Sequence, residues 1–357
     1  MTRFNLWCFA VGLMLWSCTQ VPGSGDKNRS ISDPDSLAFD TLVVDSMFAG
    51  SAFTLDMVQF AKKVVNLPYT TDMTNERQRL DIIYPEETIG PYKVIVVLHG
   101  GGWMTGDKQS EAIAPIFEVI NQGYAVVSVN YRLSGEARWP APIYDVKTAI
   151  RFLRENADTY RLDAEKIVVW GVDAGGHLAL MLAATNNQID YEDLSMGSSE
   201  ASSNVDGVIA WYAPTELLAL PAAVIPMANR LMGFSVQKSP DRAKLASPLE
   251  MATADFPPML LVHGTADSIV PYQQALDLVH KVNLLTGDLR AELTTYEDGI
   301  HGDPLIRSSV NVLNNLDFAD NIYYKEKNPY RTSVVKDIKV VFNLNDEDDN
   351  TSDFEIE

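Results

Sequence analysis

Four short apolar runs, at residues 94–98, 124–129, 167–170 and 259–262, constrain this chain more than any other feature. They are rich in β-branched residues and continuous rather than alternating, as expected of strands covered on both faces. Helical patterns lie between them. In 145–156, Val146, Ala149, Ile150 and Leu153 recur at spacings of three and four, with Lys and Arg opposite. Strands alternating with helices of this length predict an α/β fold, a mostly parallel sheet between helical layers. Ligands of such sheets bind at the carboxyl ends of the strands. The residues just after each run therefore carry the argument.

After the first run comes His99-Gly-Gly-Gly-Trp103. Three glycines remove every β-carbon, so the backbone can turn sharply and aim N–H groups at a developing oxyanion. Gly101 and Gly102 are the expected donors, and His99 and Trp103 are candidates to line a pocket beside them. After the third run comes Gly171-Val172-Asp173-Ala174-Gly175-Gly176-His177, leading into a helical pattern at 178–184. Strand, tight turn and helix, with Gly two positions either side of a central residue, make a nucleophile elbow. Its central residue is Asp173, where Ser is the usual occupant, and the N–H of Ala174 is a third expected oxyanion donor.

After the fourth run comes His263-Gly-Thr-Ala-Asp267, and 34 residues beyond Asp267 stands His301 between Ile300 and Gly302. The order of nucleophile, acid and histidine is that of a catalytic triad on an α/β-hydrolase sheet. A carboxylate at a strand end can fix the tautomer of the histidine and support its cationic form. Asp267 is the expected acid, with Asp298 and Asp303 as weaker candidates. His177 is expected to anchor the helix start or pack, His263 and His280 are assigned no chemistry, Trp139 is expected to pack with pocket lining as the alternative, and Asp145 to bind a neighbouring Arg. The apolar, proline-interrupted stretch 213–247 is long enough to cover the site, and 195–204 reads as a polar surface loop. No His and carboxylate pair has zinc-ligand spacing, so no metal is expected, and no cofactor motif stands out.

Residues 129–134, Trp139-Pro140, Asp145, Leu162-Asp163 and the run from Ile167 to His177 resemble the α/β-hydrolase esterases related to hormone-sensitive lipase. The resemblance is to their carbohydrate esterases of the feruloyl and acetylxylan (BD-FAE) type, and it runs from about Leu80 to His301. It implies hydrolysis of small esters on plant polysaccharides, with an esterified glycan as ligand and no cofactor. The nucleophile does not carry over.

A serine attacks an ester carbonyl after His removes its proton, and water then cleaves the acyl-enzyme. A carboxylate attacking the same carbonyl would form a mixed anhydride, and the carboxylate itself is the better leaving group. Asp173 thus leaves three outcomes open. The first is an ester hydrolase with a substituted triad. The second is a silent glycan- or ester-binding protein, in which Asp173 accepts the oxyanion-hole N–H groups and pairs with a cationic His301. The third is attack at saturated carbon, as haloalkane dehalogenases and epoxide hydrolases of this fold resemble, although an aromatic usually stands where Ala174 does in the dehalogenases.

The ends of the chain read differently. Arg3 precedes an apolar stretch from Leu6 to Trp16, too short to span a bilayer but suited to an export signal. Leu15-Trp16-Ser17-Cys18 resembles a bacterial lipoprotein signal, in which Cys18 is lipidated. Ordinary secretory cleavage with Cys18 as a free thiol is the alternative. The expected organisation is a signal at 1–17, a polar tether at 18–40, the hydrolase domain at 41–320, and a C-terminal extension at 321–357 whose last twelve residues hold seven acids. The address is the cell envelope, on the periplasmic or surface side, with the membrane a partner through the lipid. Nucleic acid is excluded as a partner, because a net charge of −20 opposes counterion release from phosphates.

Overall fold

The computed structural model describes residues 54–324. The expected export signal and tether with Cys18, and the acidic tail, lie outside the described residues. Eight strands form one sheet: β1 Lys63–Pro68, β2 Arg79–Ile83, β3 Tyr92–Leu98, β4 Ala125–Val129, β5 Leu162–Val172, β6 Gly207–Trp211, β7 Met259–Gly264 and β8 Ala291–Tyr296. Their order is β1-β2-β4-β3-β5-β6-β7-β8. Only the β1–β2 and β2–β4 pairs are antiparallel. From β4 to β8 every pair is parallel.

The four apolar runs are the interior strands β3, β4, β5 and β7, with β6 between the last two, and successive side chains feed two separate cores. On β3, Val94, Val96 and Leu98 enter one cluster, and Ile95 and Val97 enter the other. On β5, Ile167 and Val169 face the first side, and Val168, Trp170 and Val172 the second. A period-two chain with apolar residues at every position has no alternative to burial on both faces. Five α-helices of eight residues or more stand among the described residues: α1 Ala141–Glu155, α2 Ala174–Ala184, α3 Ile225–Met232, α4 Tyr272–Thr286 and α5 Ser309–Tyr324. Helices α1, α2 and α4 cover the first face, and α5 with the 3-10 segment Glu111–Gln122 covers the second. The last helix runs four residues past 320 and buries Tyr323. None of the described helices is long and apolar enough to cross a membrane.

Asp145 on α1 is fully buried and takes a two-pronged contact from Arg132, with Nε and Nη2 at 2.8–3.0 Å. Gln78 donates to the same carboxylate at 2.8 Å. A buried carboxylate is tolerable only when its lone pairs are met by donors in this way. The expected partnership with Arg is thus observed, and it pins the segment after β4 to α1.

Candidate active site

The elbow joins β5 to α2. Asp173 sits at φ 49°, ψ −120°, outside the regions that L-residues favour, at the carboxyl end of the interior strand β5. Its N–H donates to Trp211 O at 3.0 Å, and its carbonyl accepts from His177 N at 2.9 Å. The flanking glycines are a steric necessity. A β-carbon on Gly171 would lie 2.2 Å from Gly175 O, and one on Gly175 would lie 2.2 Å from Leu98 O. Strand and helix can cross this closely only without side chains between them.

The glycine loop after β3 wraps onto the elbow. Gly101 at φ 110° turns its backbone so that its N–H and that of Gly102 both point at Asp173, donating to Oδ2 at 2.8 and 2.9 Å. The two expected donors from this loop converge on the elbow, and the carboxylate of Asp173 fills the place between them. Ala174, the third expected donor, begins α2 and is buried. His99 and Trp103 are buried beneath the loop. Tyr131 stacks on the ring of His99 at 4.4 Å, and its hydroxyl donates to His99 O at 2.7 Å. Burial pulls the His99 pKa down to about 4, so it is neutral at physiological pH.

Trp103 anchors the other side of the loop. Its Nε1–H donates to His177 Nδ1 at 3.2 Å, and His177 Nε2–H donates to Ala246 O at 2.8 Å. Burial also holds His177 near 4, which keeps the ring neutral and able to accept on one nitrogen while donating on the other. The chain of contacts ties the glycine loop, the elbow helix and the 213–247 segment together. That segment carries α3 and packs Leu217, Met227, Leu231 and Val236 with Trp103 and Ala174 in a third apolar cluster. Trp139 packs edge-on against His177 at 5.9 Å.

Asp267 and His301 complete the group. His301 Nδ1–H donates to Asp267 Oδ2 at 2.8 Å, and His301 Nε2 lies 3.8 Å from Asp173 Oδ1. The structure selects Asp267 over the two other acids. Asp303 accepts from Ile300 N and Leu305 N within its own turn, and Asp298 donates its N–H to Thr265 Oγ1. Burial works against a charged His301, but the Asp267 hydrogen bond and the charges of Asp173 and Asp267 outweigh it and raise its pKa. Burial likewise opposes an ionised Asp267, yet hydrogen bonds from His263 and His301 hold its carboxyl well below the usual range.

The site therefore sets an imidazole between two carboxyl groups, and its contribution to folding has a definite pH window. For His301, raised in the folded state, the contribution is full below the unfolded value of about 6.5 and is lost as pH climbs through the folded value. For Asp267, depressed in the folded state, it is present above about 3.9 and lost only in strong acid. Urea unfolding between pH 6 and 9 should show stability declining on the alkaline side, and Asp173→Asn should flatten that decline. Equal slopes in both proteins would contradict the His301–Asp173 pairing.

Two contacts are invisible in the motifs. Tyr212 follows β6 at φ 39° and sets its ring edge-on against His301 at 4.8 Å, and its N–H donates to Val262 O at 2.8 Å. The signal that could have found it is the run Gly207–Trp211, whose carboxyl end is one more strand end at the site. The second is His263, at the end of β7, with Nε2 3.2 Å from Asp267 Oδ2. His280, by contrast, is exposed on α4, away from this group. Among the described residues no group of three or more His, Cys, Asp or Glu is placed to hold a metal ion.

A family model described as BD-FAE matches residues 80–282. Esterase LipC of Mycobacterium tuberculosis is 31% identical over 200 residues, 55% of this chain and 49% of that protein. LipM of the same organism, described as a probable carboxylic ester hydrolase, is 33% identical across 54% of this chain and 45% of its own. The chain thus spans about half the length of these curated relatives. A solved structure described as a truncated form of a carbohydrate esterase from gut microbiota superposes with a TM-score of 0.69 at 29% identity. The match covers 76% of this chain and 99% of that one.

Proposed function

The chain belongs to the BD-FAE family, and from that premise we propose that it is a carboxylic ester hydrolase of the carbohydrate-esterase kind whose acyl transfer is silenced by Asp173. One observation carries the reading: Asp173 Oδ2 accepts both Gly101 N–H and Gly102 N–H, at 2.8 and 2.9 Å. Those donors are aimed where a tetrahedral intermediate would place its oxygen. With a carboxylate already there, an ester carbonyl finds the donors spent and meets a negative charge. Attack by the carboxylate would also collapse backwards, since the carboxylate leaves more easily than an alkoxide.

With a hydroxyl at the elbow the remaining parts have clear roles. His301 Nε2 takes the hydroxyl proton, Asp267 holds the imidazole with its proton on Nδ1, and the N–H groups of Gly101 and Gly102 receive the oxyanion. The ligand is a short acyl ester on a carbohydrate, a reading supported by the carbohydrate-esterase neighbour. The parent then binds such an ester without consuming it. Release of acetate from acetylated xylo-oligosaccharides by the parent and by Asp173→Ser tests this.

A second reading draws on Asp173 Oδ1, which faces His301 while Oδ2 is held by the loop. That oxygen could displace a leaving group from saturated carbon. Water activated by His301 would then cleave the resulting alkyl ester at the Asp173 carboxyl carbon. Halide or diol release from a substrate panel by the parent decides between the two.

The chain's place in the cell is proposed from residues 1–18: export, with lipid attached at Cys18 on the envelope side. Cell fractionation should find the parent with the membranes and Cys18→Ala in the soluble fraction. Equal partition of both would overturn the lipid anchor.

A further inference from the structure

We propose that His263 is a positioning residue for Asp267, fixing through its Nε2–H the carboxylate that carries His301. The inference rests on the reading of Asp267 and His301 as the acid and base of the site.

The carboxylate of Asp267 is buried, and four N–H groups meet it. Oδ1 accepts from Ile269 N at 2.9 Å and Val270 N at 2.8 Å, which ties it to its own turn. Oδ2 is shared by two imidazoles, His301 through Nδ1 at 2.8 Å and His263 through Nε2 at 3.2 Å. His263 Nε2 also lies 2.9 Å from Val270 O. A nitrogen facing a carbonyl and a carboxylate together must carry the hydrogen, so the partners assign the Nε2–H tautomer. The ring is held in place from two sides: it leaves the end of β7, and Tyr272 on α4 packs edge-on at 6.1 Å. His263 therefore clamps the turn 267–270 with one Nε2–H, donated to the Val270 carbonyl and shared with the nearby Asp267 carboxylate.

Two consequences follow from sharing Oδ2. Without the His263 donor, that oxygen serves His301 alone, accepts more strongly, and favours the imidazolium further. The carboxylate also loses one of the contacts that fix its plane, so His301 is aimed less tightly at position 173. The other groups facing this pair are Asp173 and the Tyr212 ring against His301, Tyr272 against His263, Arg307 acting on Tyr212, and Asp298 and Asp303 on the loop that carries His301. All of them are held constant when only position 263 changes.

The experiment follows the His301 ring proton by NMR titration in the full chain, comparing the parent with His263→Gln, which keeps an N–H near the Nε2 position, and His263→Phe, which keeps volume but no donor. The same pair is made in the Asp173→Ser background, and kcat and KM are measured on p-nitrophenyl acetate. His263→Phe should move the His301 titration upward and lower kcat by roughly ten- to a hundredfold, the range of one hydrogen bond to a charged group, with KM within about twofold. His263→Gln should restore both values. An unmoved His301 titration in a folded His263→Phe protein overturns the proposal, as does a Gln variant that behaves like Phe. If Phe does not fold, His263→Met supplies a flexible donor-free comparison. A background variant that hydrolyses nothing defeats the functional reading, but the titration still decides the role of His263.

Discussion

Asp173→Ser is expected to raise hydrolysis of p-nitrophenyl acetate by roughly 10³-fold or more over the parent. The size follows from what the parent lacks. An esterase frame without its nucleophile usually keeps some residual catalysis from its oxyanion hole. Here even that is removed, because Asp173 Oδ2 occupies the two loop N–H groups. The substitution restores the hole and a nucleophile within reach of His301 in one step. Asp173→Ala isolates the first effect: it empties the hole without supplying a hydroxyl, and it should exceed the parent while falling far short of the serine variant. A serine variant no better than the parent would mean that the elbow does not direct position 173 at a bound ester.

The second large effect is expected from Asp267→Asn placed on the active Asp173→Ser background, a loss of about 10⁴ in kcat with little change in KM. Asn can donate to His301 Nδ1 where Asp267 only accepts. The ring is then driven to the tautomer with hydrogen on Nε2, and it can no longer take a proton from the nucleophile. Asp298→Asn and Asp303→Asn serve as controls and should stay within a few-fold, because His301 Nδ1 is held by Asp267 Oδ2. Rate profiles across pH complete the measurement. A loss equally large in Asp303→Asn would place the acid elsewhere.

How much of this was legible in the sequence depended on locality. The strands β3, β4, β5 and β7 stood out because burial on both faces makes their central runs almost wholly apolar. Strand β2 did not, since Asp81 interrupts its run. That carboxylate is buried against Lys108 at 3.0 Å and Gln109 at 2.8 Å, partners 27 and 28 positions away that no local pattern reveals. At the sheet edge, β8 alternates irregularly, with Glu292 and Thr295 exposed. The elbow, the glycine loop and the Asp267 and His301 pair were legible because each motif carries its own geometry. His263 takes no role from the sequence because a single histidine at a strand end is uninformative until the fold brings Asp267 Oδ2 and Val270 O to the same nitrogen. The chain from Trp103 through His177 to Ala246 is hidden for the same reason, since it joins three segments spread over more than 140 positions.

The occupied oxyanion hole is tested most directly by intact-mass analysis after exposure to a fluorophosphonate, which labels an activated serine and carries an oxyanion-like oxygen. The Asp173→Ser protein should gain one phosphonyl group at position 173, lose that labelling with His301→Ala, and contrast with a parent that stays unlabelled. An unlabelled serine variant, or a parent that turns over esters and stops only when Asp173 becomes alanine, would contradict the account.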